Sequence, residues 1–158
     1  MEINAVGKIF SEVKLAYLAG FLDADGAIMA IIEKHQEKKF RFRVRITVKI
    51  TQHDRTILDM FLSELRIGSV RQNRTTFDWI IRDQKTARYL LDLLKPYLKV
   101  KRNQAEMAMT ILDKIIVTRE DLLEIAKLAD SLSRLNVRSK NRRKNFATMI
   151  NENISSND

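Results

Sequence analysis

Residues 40 to 51 alternate without a break. Phe40, Phe42, Val44, Ile46, Val48 and Ile50 are separated by Arg41, Arg43, Arg45, Thr47, Lys49 and Thr51. Successive strand side chains point to opposite faces, so this stretch predicts a β-strand with one apolar face and one cationic face. Residues 27 to 33 are an apolar strand candidate. Two more strands are predicted near 69–74 and 76–82, and in the second Phe77, Trp79 and Ile81 oppose Asp78, Ile80 and Arg82. Elsewhere the apolar spacing is helical. Ser11 is placed as an N-cap before Leu15, Ala16, Leu18, Ala19 and Leu22, and Gly26 ends that helix. Asp54 precedes Ile57, Leu58, Phe61, Leu62 and Leu65, with Gly68 as the stop. A third helix is predicted near 84–94, ahead of Pro96, and a fourth near 102–116. Thr118-Arg119-Glu120-Asp121 starts a fifth in the manner of a capping box, running to about Leu135. Residues 136–145 read as a loop, 146–153 as a short last helix, and Ser155 to Asp158 as a frayed end.

The predicted order is αββαββα followed by further helices, an α+β fold. The strands are expected to form one four-stranded antiparallel sheet, covered by helices on one face and open on the other. The chain is expected to be a single domain over 1–158, with a core at about 12–116 and C-terminal helices and a basic loop over 117–158. A strand ribbon with a wet, positive face matches the dimensions of the major groove of B-DNA.

Charge strengthens that picture. The chain has 158 residues, with 29 Lys and Arg against 20 Asp and Glu, a formal net charge of +9. Such a surplus points to a polyanionic partner, nucleic acid before anionic membrane. The cations are clustered. Lys34, Lys38, Lys39, Arg41, Arg43, Arg45 and Lys49 lie within 34–49, and Arg134, Arg138, Lys140, Arg142, Arg143 and Lys144 form a second group. A membrane-surface protein would carry such charge on an amphipathic helix; here it falls on strands and a loop. No apolar run is long enough to span a bilayer, and residues 1–10 do not read as a signal peptide. There are no cysteines, which excludes disulfides and thiolate zinc sites and suits an intracellular, reducing compartment.

The candidate chemistry lies at the end of the first helix, in Leu18-Ala19-Gly20-Phe21-Leu22-Asp23-Ala24-Asp25-Gly26. Two carboxylates there meet the negative end of the helix dipole. A hard divalent cation with oxygen ligands would relieve both. His35 and His53 are too isolated to suggest a metal site. The stripe Met107, Met109, Ile111, Leu112 and Ile115 reads as core.

Residues 18–26 resemble the signature of the LAGLIDADG homing endonucleases, and αββαββα is that family's core order. The likeness continues at Thr51-Gln52 and at Pro96-Tyr97-Leu98-Lys99-Val100-Lys101, covering about 12 to 145. It implies a site-specific, Mg²⁺-dependent double-strand DNA endonuclease, with Mn²⁺ able to substitute and no small-molecule cofactor. Intron homing in a prokaryotic cytoplasm or an organelle is the implied biology. A single motif implies a homodimer on a long, near-palindromic site, with Ala16, Ala19 and Gly20 at the subunit interface. Asp25 and the carbonyl of Ala24 are then metal ligands, with Asp23 a further candidate. Asp25, Gln52 and Lys101 are the catalytic candidates. At the family's second basic position a gap-free count finds Thr56, with Arg55 adjacent.

On the open face, Arg43, Arg45, Lys49, Arg71, Asn73, Asp78, Ile80 and Arg82 are expected to read bases. Arginine pairs with guanine, asparagine with adenine and an acid with cytosine, while Ile80 suits a thymine methyl. His35, Lys38 and Lys39 would reach phosphates or outer bases; Arg138, Lys140, Arg142 and Arg143 would hold the backbone. An RNA-splicing maturase and a non-catalytic DNA-binding regulator share the fold. The first could dispense with Asp25 or Lys101, and the second would be expected to carry an appended DNA-binding domain.

Overall fold

A computed structural model describes residues 2–3, 9–136 and 145–155. Two short strands absent from the sequence expectation, β1 (Glu2–Ile3) and β2 (Ile9–Phe10), pair antiparallel ahead of the first helix. Then follow α1 (Glu12–Asp25), β3 (Gly26–Lys34), β4 (Phe42–Gln52), α2 (Arg55–Leu65), β5 (Ser69–Asn73), β6 (Thr76–Ile81) and α3 (Gln84–Leu94). Three more helices complete the order: α4 (Arg102–Asp113), α5 (Arg119–Asn136) and α6 (Phe146–Ser155). The expected αββαββα core is present.

β3 to β6 form one antiparallel sheet in the order β3-β4-β6-β5. Its register sorts the side chains. Ile28, Ile46, Val48, Ile50, Trp79 and Ile81 point into the core, where they meet Leu15, Leu18 and Leu22 of α1 and the apolar faces of the other helices. β6 ends before it can pair all of β4. The Gln84 amide completes the ladder, accepting from the Ile46 N–H at 2.7 Å and donating to its carbonyl at 2.9 Å.

Helix starts follow the capping expectations. Ser11 accepts from the Lys14 N–H and Asp54 from Thr56, and Asp83, a cap not foreseen in the sequence, accepts from Thr86. Thr118 and Asp121 satisfy each other's main-chain N–H reciprocally at the start of α5. α1 ends at Gly26 as expected, but the stop of α2 differs. α2 closes on Arg66, which takes the left-handed conformation at φ 56, and Gly68 shapes the turn into β5 instead. Gly26 has an extended backbone, φ −101, and is the first residue of β3. What requires glycine there is space, because a Cβ would lie 2.5–2.9 Å from Leu22. The chain therefore passes from helix to strand with no intervening loop, holding Asp25 at the junction. Phe40, expected in the strand, lies in the turn that closes at Arg41, φ 63.

Candidate active site

Asp25 is the last residue of α1 and Gln52 the last of β4, and the Gly26–Ile50 pairing brings these ends together. The Gln52 amide donates to Asp25 Oδ2 at 2.7 Å. Asp25 is exposed, and its Oδ1 has no partner among the described residues. A carboxylate with one oxygen oriented and the other open is a hard-cation donor.

Asp23 has another use. Its Oδ2 accepts from the Lys99 N–H at 2.8 Å and its Oδ1 from the Lys101 N–H at 2.9 Å. The Lys101 ammonium donates to the Asp23 carbonyl. The carboxylate thus clasps the segment before α4, so Asp23, the further candidate for the metal, presents no open oxygen as Asp25 does. Through that clasp the third sequence element, Lys101, is brought to the end of α1 near Asp25. Arg55 is taken up by Asp59, at 2.8 Å, and lies over the Phe77 ring.

The open sheet face carries Arg43, Arg45 and Lys49 of β4, Asp78 and Ile80 of β6, and Arg71 and Asn73 of β5, as the alternation predicts. Arg82 is exposed just past β6. Asp78 is not the base-reading acid expected. It is 4% exposed, accepts from Thr51 Oγ1 and Asn73 Nδ2, and lies 3.7 Å from Lys49 Nζ. Its charge orders those neighbours. It also holds the Asn73 amide, expected to read adenine, against β6.

Glu33 escaped the sequence reading. β3–β4 pairing sets it opposite Arg43, where its carboxylate accepts from that guanidinium and lies 3.5 Å from Arg45. The Arg43 hydrogen bond, aided by the charge of Arg45, holds the Glu33 carboxyl below its ordinary range despite some desolvation. Alternation back from the strand end would have found it once the hairpin register was known. At the hairpin turn Lys38 is exposed, while Lys39 reaches back to the Val117 carbonyl at 3.0 Å. His35 is half-buried, with its main-chain N–H donating to the Arg41 carbonyl. Arg138, Lys140, Arg142 and Arg143 lie outside the described residues.

On α1, Ala16 and Gly20 are exposed, but Ala19 is wholly buried among the chain's own core residues. This corrects its placement at an interface. Helical spacing puts Val13 (79% exposed) and Tyr17 (50%) beside Ala16 and Gly20 instead. Among the described residues nothing lies within 4 Å of a Cβ built on Gly20. Its missing side chain serves no packing inside this chain.

Residues 18–107 match the LAGLIDADG endonuclease family model. The DNA endonuclease I-CreI of Chlamydomonas reinhardtii is 34% identical over 127 residues, 77% of this chain and 78% of that protein. The DNA endonuclease I-CvuI of Chlorella vulgaris is 33% identical over 129 residues, covering 78% and 80%. A crystal structure of I-CvuI in complex with the I-CreI target and Mg, its DNA not cleaved, superposes with a TM-score of 0.81 at 31% identity, over 92% of this chain and 94% of that one. An archaeal intron-encoded homing endonuclease, I-Vdi141I, complexed with DNA, shares the fold at 20% identity and a TM-score of 0.77, over 89% and 96%. With its motif helix, its clasped lysine and this span of similarity, the chain belongs to the LAGLIDADG endonuclease family.

Proposed function

We propose that this protein is a divalent-metal-dependent homing endonuclease that cuts both strands of a long, near-palindromic DNA site as a homodimer. The observation that carries the reading is the Asp25–Gln52 hydrogen bond at the end of α1, beside a sheet face bearing Arg43, Arg45, Lys49 and Arg71. Among the described residues no three His, Asp or Glu side chains converge to hold a metal. Asp25 and the Ala24 carbonyl would hold the cation, and its remaining oxygens would come from outside this chain. When bound, Mg²⁺ or Mn²⁺ supplies Lewis-acid polarisation of the phosphate and a more acidic water.

The chain's own residues do the rest. Gln52 fixes the rotamer of Asp25 and keeps one oxygen turned outward. Lys101, tied to the Asp23 turn, brings a positive charge to where negative charge grows on the phosphate. The exposed stripe of Val13, Ala16, Tyr17 and Gly20 is the subunit contact, small enough at Ala16 and Gly20 for two helices to approach closely. Arg43, Arg45, Lys49 and Arg71 enter the major groove, with outer contacts from Lys38. Asp25→Asn tests the core of the reading. The variant is expected to keep sequence-specific binding in Ca²⁺ and to lose cleavage in Mg²⁺ by at least about a hundredfold, the scale on which loss of one transition-state stabiliser is felt. Normal cleavage by the variant would remove Asp25 from the chemistry.

A further inference from the structure

Resting on the endonuclease reading, the open sheet face also bears on what bases the enzyme prefers. β3 was legible from sequence only as an apolar strand. Its register with β4 turns Ala27, Met29 and Ile31 outward, onto the same face as Lys49, Thr47 and Arg45. All three are half-buried and none carries a hydrogen-bond donor, Met29 having only its weakly accepting thioether. Thr47, opposite Met29, is buried, and its hydroxyl has no partner among the described residues. The β3 edge of this face, from Ala27 to Ile31, is therefore apolar beside the cations of β4. Lys49 and Arg45 flank it and complement a polyanion. Among the base edges of the major groove, the group that projects an apolar surface toward such a patch is the C5-methyl of thymine.

We propose that Met29 and Ile31 are specificity-determining residues that pack on thymine methyl groups in the major groove. Their spacing makes the proposal geometric. Residues two apart on a strand are separated by about 6.6 Å, which spans roughly two base pairs at 3.4 Å each. The DNA site therefore carries two thymines per half-site, about two base pairs apart, each meeting one of these side chains.

The test uses the full-length protein and sites selected in Ca²⁺ from a randomised palindromic library. Each selected thymine is then replaced by deoxyuridine, which keeps every hydrogen-bonding group and lacks only the methyl. Wild-type binding is expected to weaken about fourfold per methyl at two such positions, the effect of leaving one buried methyl-sized group unmatched. Ile31→Asn, of similar size but polar, should erase the penalty at one position, and Met29→Gln at the other. Uridine tolerated at every thymine overturns the proposal, as does a penalty unchanged in both variants. The endonuclease reading survives either result provided the site is selected and cut; a wild-type protein that selects no site overturns both. Should a variant fail to fold, the wild-type pattern still decides, since no methyl-sensitive pair at that spacing is a refutation.

Discussion

At the scale of single residues, the acids of this molecule divide by what occupies their oxygens. Among the described residues Asp25 keeps one oxygen open, whereas Asp23 and Asp78 have both engaged by donors of their own chain. Glu33 holds two guanidiniums that the DNA also attracts. Glu33→Gln should release Arg43 and Arg45 toward phosphates. Binding to unrelated DNA should tighten, and log K should fall more steeply with log salt, by up to about 0.9 for each further phosphate neutralised. Competition binding over a salt series checks this. The same residue sets an acid response. Its carboxyl titrates lower in the folded than in the unfolded chain, so its stabilising contribution is complete above the unfolded value near 4.5. That contribution is lost as pH falls through the folded value. Thermal melts of wild type and Glu33→Gln at pH 6 and pH 3 should converge at the lower pH.

Between elements, what matters is how separate segments meet. The end of α1, the end of β4 and the start of α4 are far apart in sequence, and two devices join them. Gly26 lets α1 run directly into β3. Asp23 grips the main chain at Lys99 and Lys101. Asp23→Ala leaves both of those N–H groups without their acceptor, at a cost of about 1–3 kcal/mol if they stay buried and less where water reaches them. The larger consequence should be kinetic. With Lys101 no longer held at the junction, kcat should fall at least tenfold while the Kd for the DNA site in Ca²⁺ changes little. Single-turnover cleavage and equilibrium binding on the same variant separate the two, and an equal loss in both would point to general unfolding.

The whole molecule as proposed is a pair of these chains, and the exposed side of α1 is where the pair is tested. Gly20→Leu adds a side chain into open space within the chain, since nothing lies near its Cβ. Leucine is also the better helix former, by roughly 0.8 kcal/mol. The monomer fold should therefore persist or become more stable, while close approach of two α1 helices is blocked. Sedimentation should show a monomer with native circular dichroism and no double-strand cleavage. A Gly20→Leu dimer that still cuts would move the interface elsewhere.

Much of this architecture was legible in residue order because the signals are local. The alternation at 40–51, the caps at Ser11 and Asp54, and the punctuation by Gly26 and Pro96 act over a few residues. The family motif is likewise a contiguous string. Sequence alone determined the αββαββα core, the cationic strand face and the candidacy of Asp25, Gln52 and Lys101. Only the tertiary structure decided which side chains remain available. Ala19 faces its own core, Asp78 is buried under its neighbours, Asp23 is a clasp, and Glu33, Met29 and Ile31 share the open face. Each of those facts depends on strand register or on a contact between distant segments. Such contacts are set by how the whole core packs, and local preference carries no information about them.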